Sequence, residues 1–153
     1  MMNIINKKNM GFTLVELLVV ISIIGILIGI SVFGLQGART SSRDAKRKAD
    51  LEQIRSGLEI YRADCNVYPS TLNLGSSVIL RGNDSTPSCL STNIYISATP
   101  VDPTSPNARY VYSSSAGQTY NLCAALEQAP VPAMSISGCG SCTKTCNYKA
   151  TNP

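Results

Sequence analysis

The 153-residue chain contains no histidine and no tryptophan, and only two phenylalanines. Without histidine its many serines have no imidazole base, and no Gly-x-Ser-x-Gly element is present, so nucleophilic hydrolysis is not supported. A structural zinc site needs four Cys or His ligands. Cys139-x-x-Cys142-x-x-x-Cys146 supplies three, and a fourth would have to come from a distant cysteine. A redox-active Cys-x-x-Cys normally opens a helix in a βαβ setting, whereas this one follows Gly138 in a polar tail. No catalytic residue, metal ligand set or cofactor is therefore expected. Charge is also scarce: 14% of residues carry one, and the formal net charge is +4. That balance is too small to argue for nucleic acid by itself.

The scarcity of charge is local. From Leu17 to Ala38 there are 22 residues without a charged side chain, and Glu16 stands at the front edge. At ~1.5 Å per residue such a helix is about 33 Å long, enough to cross a hydrocarbon core of about 30 Å. A carboxylate at that edge is costly unless partnered, which makes Glu16 a functional candidate. Gly25 and Gly29 are four apart and share a face, a spacing that lets helices approach closely. From Ala38 to Arg62 the pattern becomes amphipathic, with Leu51, Ile54, Leu58 and Tyr61 at helical spacing. The two segments read either as one helix of about 51 residues, ~77 Å long, or as two with a bend at the glycines. Arg55 and Glu59 are placed to pair across the surface. Arg39, Arg43, Lys46, Arg47 and Lys48 read as a solvated helix face, or as a surface for acidic groups on a neighbouring subunit or for lipid headgroups.

The chain leaves the helix between Ala63 and Tyr68, and Pro69 stops it. Ser70 to Thr99 is a Ser/Thr/Asn-rich connection with short apolar patches at 78–80 and 93–97. Pro100-Val101-Asp102-Pro103 is a rigid turn. Arg109–Ser113 and Thr119–Ala125 alternate as strands, with Ser114–Gln118 as a hairpin loop. Beyond Glu127 the composition would be disordered without cross-links. All six cysteines, Cys65, Cys89, Cys123, Cys139, Cys142 and Cys146, follow the apolar run. An even number in a small domain reads as a disulfide framework in an oxidising compartment, and spacing does not choose the connectivity. A bridge from Cys123 to the tail cysteines is expected, and Cys65 with Cys89 is a second candidate. A count of flanking Lys and Arg would put the C-terminal side in the cytoplasm. The cysteines argue the opposite and are given more weight.

Lys7-Lys8-Asn9-Met10-Gly11-Phe12-Thr13-Leu14-Val15-Glu16, with the apolar run behind it, resembles the leader and N-terminal helix of type IV pilins and type II secretion pseudopilins. The Tyr68-Pro69 turn and the Pro100-Val101-Asp102-Pro103 segment resemble those of major pseudopilins. The resemblance implies cleavage after Gly11 by a prepilin peptidase, N-methylation of Phe12, and an assembly role for Glu16. Unlike an ordinary signal peptide, the cleavage site precedes the apolar helix, which stays with the mature chain. Cleavage would leave eleven basic and nine acidic side chains. The implied partners are the peptidase-methyltransferase, other copies and minor pilins in a helical fibre, and an inner-membrane assembly platform. The implied location is a single-pass inner-membrane protein with an extracytoplasmic head, which becomes part of a periplasmic or extracellular fibre. The expected fold is α+β, a long N-terminal helix on a small antiparallel sheet. Its segments are leader 1–11, transmembrane helix 12–37, amphipathic helix 38–63 and head 64–153. Within the family the chain would be a fibre subunit or a minor pilin at the tip. A DNA-uptake pilin using Arg39 to Lys48 is the reading from another class, and nucleic acid is not the expected partner. Such heads often hold calcium between acidic loop residues near the C-terminus. Asn121–Glu127 lacks that acidic cluster, so calcium is not expected here.

Overall fold

A computed structural model describes residues 11–128 and 136–153. Residues 1–10, most of the expected leader, and the proline-containing stretch 129–135 lie outside the described residues. The fold is α+β. Helix α1 (Leu14–Cys65) is followed by β1 (Leu80–Arg81), β2 (Ile94–Ile96), β3 (Val111–Ser115), β4 (Thr119–Ala124) and β5 (Tyr148–Thr151). The chain divides into two compact units, one ending at Arg39 and one of Thr40–Pro153.

In the second unit α1 carries the core. Leu51, Ile54, Leu58, Tyr61 and Cys65 recur at three and four residues, so they form one stripe, and all are buried. The helix runs on to Cys65, past the exit read at Ala63. Asn66 then takes a left-handed conformation (φ 61°) and donates its N–H to the Arg62 carbonyl at 2.8 Å, a helix-ending geometry that asparagine tolerates.

Two antiparallel sheets cover the stripe. The apolar patches in the polar connection become β1 and β2, with Leu80 opposite Ile96. The larger sheet has the order β3-β4-β5. Tyr120, Leu122 and Ala124 alternate along β4 and belong, with Ala150 of β5, to the core built on α1. Cys123 lies on the opposite face. It packs with Ala125, Cys139, Cys142 and Cys146 in a second small cluster. The disulfide-bonded tail thus covers the side of the sheet that α1 does not.

Two differences from the sequence pattern have simple causes. The hairpin loop shrinks to Ala116–Gln118, because Ser114 and Ser115 pair with Tyr120 and Thr119. Ala116 and Gly117 take positive φ (50° and 71°), as such tight turns require. The tail also contributes a strand that was not expected. Tyr148 to Thr151 pairs with Asn121 to Ala124, and the signal was only four residues long.

The acids on α1 tie the helix to the sheets through tyrosines. Asp50 accepts the Tyr110 hydroxyl at 2.7 Å, Asp64 that of Tyr95 at 3.0 Å, and Glu59 those of Tyr120 and Tyr68, both at 2.9 Å. Glu59 is therefore not the partner of Arg55, which pairs with Glu52 at 3.4 Å instead. A buried hydroxyl needs a partner, and these carboxylates supply it. Burial and the neighbouring Asp50 carboxylate push the Tyr110 phenol well above its ordinary range, so it remains a donor.

Leu58 is fully buried whereas Ile60, two residues on, is 54% exposed. Leu58→Ala is expected to cost the head about 2–5 kcal/mol and Ile60→Ala less than about 0.5 kcal/mol. Urea unfolding of the two variants, followed by tyrosine near-UV circular dichroism, measures the contrast.

Candidate functional site

Among the described residues, nothing covers the helix of the first unit. Its described large apolar side chains between Phe12 and Leu35 are 46% to 79% exposed. A helix that is apolar on every side is stable only when surrounded by lipid or by other protein. Among the described residues, α1 is the helix long and apolar enough to cross a bilayer. The two serine hydroxyls of the apolar run are satisfied internally. Ser22 and Ser31 donate their hydroxyls to the Leu18 and Leu27 carbonyls, each at 2.8 Å. A side-chain carbon placed on Gly25 or Gly29 would meet nothing within 4 Å, so packing inside the subunit does not demand glycine at either position.

Gly11 and Phe12 precede α1, and Phe12 is exposed. Glu16 lies in the first turn and is engaged by Thr13. The Thr13 backbone N–H and hydroxyl donate to one Glu16 carboxylate oxygen at 2.9 and 2.7 Å, and the Glu16 N–H donates back to the Thr13 hydroxyl at 3.2 Å. This is a reciprocal capping box. The sequence reading passed over Thr13, although its signal, Thr-x-x-Glu ahead of an apolar run, is visible in the chain.

In the second unit the basic cluster corrects the sequence reading. Arg47 is buried and bonded within the head, and the partly exposed Arg43 is held at its edge by Glu127. Arg47 is 1% exposed. Its Nε donates to Asp102 at 2.8 Å, Nη1 to Asp44 at 2.7 Å and Glu127 at 3.0 Å, and Nη2 to Asp102 at 3.2 Å and Thr104 at 3.0 Å. Arg43 holds Glu127 through both oxygens. Asp44 also accepts the backbone N–H groups of Glu127 and Gln128 at 2.9 and 2.8 Å. Burial works against charge on Arg47, but the hydrogen bonds it donates to Asp102, Asp44 and Glu127 outweigh it and raise its pKa. Burial likewise raises Asp102, yet Arg47 and Thr104 bring it below the ordinary range. Of the other cluster members, Lys46 is exposed and Lys48 lies over the Tyr148 ring, 5.7 Å from its centroid.

The cysteines are paired Cys65–Cys89, Cys123–Cys139 and Cys142–Cys146, with Cα separations of 4.8, 5.7 and 5.4 Å. The first joins the end of α1 to the polar connection, the second β4 to the tail, and the third closes a small ring within the tail. The head's converging carboxylates are taken by guanidinium groups. Among the described residues no cluster of three His, Cys, Asp or Glu is disposed to hold a metal ion.

Residues 6–32 match the prokaryotic N-terminal methylation motif, and residues 35–127 match type II secretion system (T2SS) protein G. The chain belongs to the type II secretion system protein G family. It is similar to type II secretion system core protein G of Vibrio cholerae serotype O1, with 30% identity over 105 residues, 69% of this chain and 72% of that protein. The Escherichia coli K12 protein of the same name is 34% identical over 98 residues, 63% of this chain and 67% of its own length. That of Pectobacterium carotovorum is 39% identical over 64 residues, and the match spans only 41% of it. No solved structure matches the chain. The chain is thus a pseudopilin, a pilus-like structural subunit.

The Arg43–Arg47 centre gives the head a defined acid sensitivity. Hydrogen bonding to Arg43, opposed by burial and supported by Arg47, pulls Glu127 from the ordinary 4.5 down to about 2. Between those values the unfolded chain binds more protons than the folded head, so stability rises with pH across this window. The contribution is complete above pH 4.5 and lost as pH falls through about 2. Glu127→Gln is expected to flatten this part of the stability profile, measured as melting temperature against pH.

Proposed function

We propose that this pseudopilin is a fibre-forming subunit, cut after Gly11 by a prepilin peptidase and N-methylated on Phe12. It waits in the inner membrane on a single span, with the head outside the cytoplasm, until an assembly platform adds it to a helical fibre. Glu16 registers the incoming subunit. The observation that carries this reading is the bare apolar helix, with a single carboxylate at its start, in the segment that matches the methylation motif. In the membrane lipid covers that helix, and in the fibre the helices of other copies do. Gly25 and Gly29, which nothing inside the subunit requires, suit close helix approach in the fibre. The commitment of Arg43 and Arg47 to internal carboxylates speaks against nucleic acid as the partner.

Cleavage creates an amine at Phe12 beside the Thr13–Glu16 box. A charge at mid-membrane costs ~2.5–3.5 kcal/mol on insertion scales, less near the edge. An amine paired with Glu16 offsets much of that. Where the amine belongs to one subunit and the carboxylate to another, the pair sets their register.

Two variants test the reading separately. Gly11→Val places a branched side chain at the scissile bond and is expected to leave the leader attached. A mature chain beginning at methylated Phe12 in that variant, seen by mass spectrometry, would refute the proposed site. Glu16→Gln keeps the capping geometry, since glutamine also serves at that position, but removes the charge. It is expected to be cut and inserted normally, with fibre yield in shearing and immunoblot assays reduced at least about tenfold. A wild-type yield would rule out registration.

A further inference from the structure

Arg47 occupies an unusual position. Asp44, Asp102 and Glu127 come from α1, the Pro100–Pro103 turn and the exit from β4, and their carboxylates meet around its guanidinium. Left to themselves, three buried or half-buried carboxylates repel one another and titrate apart or take up a cation. Here the cation is part of the chain. A guanidinium has five N–H donors. Nε has one and Nη1 and Nη2 two each, and the contacts to Asp102, Asp44, Glu127, Asp102 again and Thr104 use them all. Five oxygens from four residues therefore surround one positive centre, approaching the six to eight that a calcium ion gathers. Among the described residues no buried side-chain nitrogen or oxygen is left without a partner, at this centre or elsewhere.

We infer that Arg47 is the head's built-in cation: it does for the Asp44–Asp102–Glu127 set what a bound divalent ion does for such carboxylates, so the head closes without a metal. The difference from a metal is permanence. A metal is lost to a chelator, and its occupancy follows the concentration in the medium. Arg47 is covalently present, and its charge does not titrate in the working range of a protein. The three segments it joins are separated by 55 and 80 residues. Its loss frees the Pro100–Pro103 turn and the exit from β4 together. The inference rests on the head alone and is independent of whether the chain forms fibres.

The test uses the full chain in detergent micelles with its disulfides intact. The melting temperature is read by near-UV circular dichroism, to which the seven tyrosines, all in the second unit, contribute. Wild-type protein is expected to melt within about 2 °C in EDTA and in millimolar calcium chloride. A clear loss of stability in EDTA, restored by calcium, overturns the inference at once. Arg47→Ala leaves the carboxylates and the Thr104 hydroxyl around a vacated positive site. In EDTA its melting temperature is expected to fall by at least ~10 °C. Calcium is expected to return several degrees to this variant and none to wild type. If Arg47→Ala melts at the same temperature with and without calcium, Arg47 acts by packing and not as a cation, and the inference fails. Arg47→Lys keeps the charge but not the fork. It is expected to melt between the two and to ignore calcium. An Arg47→Lys head no more stable than Arg47→Ala would likewise overturn the role assigned to the charge.

Discussion

Everything in the head depends on one requirement, that the apolar stripe of α1 from Leu51 to Cys65 be covered. Both sheets, the Tyr68-Pro69 turn and the first disulfide meet on that stripe. The earlier part of the same helix offers exposed apolar side chains on all sides, and no described residue is packed against them. One element therefore carries two surfaces of opposite kind. The first is satisfied within the chain and makes a folded head. The second is satisfied only by lipid or by other chains, as the proposed membrane-anchored fibre subunit requires.

A head of this size has a small core, and it gains cohesion from polar groups that α1 sends inward. Asp50, Glu59 and Asp64 receive tyrosine hydroxyls from the sheets and turns, while Arg47 gathers acids from two later segments. These contacts are directional, so they fix how the turns and strands sit on the helix more sharply than apolar packing does. A buried ion pair adds little stability over well-packed apolar residues, but removing one partner is costly because the other charge is stranded. The arrangement around Arg47 is thus better understood as specifying the head's closure than as strengthening it. On the far side of the β3-β4-β5 sheet the polar tail has few large apolar groups, and cross-links hold it where a core would not.

Much of this was legible in the chain. The apolar run, its lone Glu16, the helical stripe Leu51–Ile54–Leu58–Tyr61 and the β3-β4 hairpin all follow from periodicities within a few residues. Local backbone geometry turns such patterns directly into helix and strand. The Thr13–Glu16 box was equally local and needed only to be noticed. The tail strand was less visible, because Tyr148 to Thr151 becomes a strand only by adding to an edge that β4 presents.

What the sequence alone determined is which surfaces are apolar, which stretch of the helix is long and apolar enough to cross a bilayer, and that the head is an α+β domain with cysteines enough to pin its tail. Only the tertiary structure decided what the charges do. Arg43, Arg47 and Lys48 are near neighbours in the same basic cluster, yet Arg43 pairs with Glu127 at the surface, Arg47 is buried against Asp102 and Lys48 lies over Tyr148. Nothing in their immediate sequence distinguishes them. The physical reason is range: hydrophobic periodicity is read within a turn or a strand, whereas a charge finds its partner 55 or 80 residues away and only once the chain has folded to bring the two together.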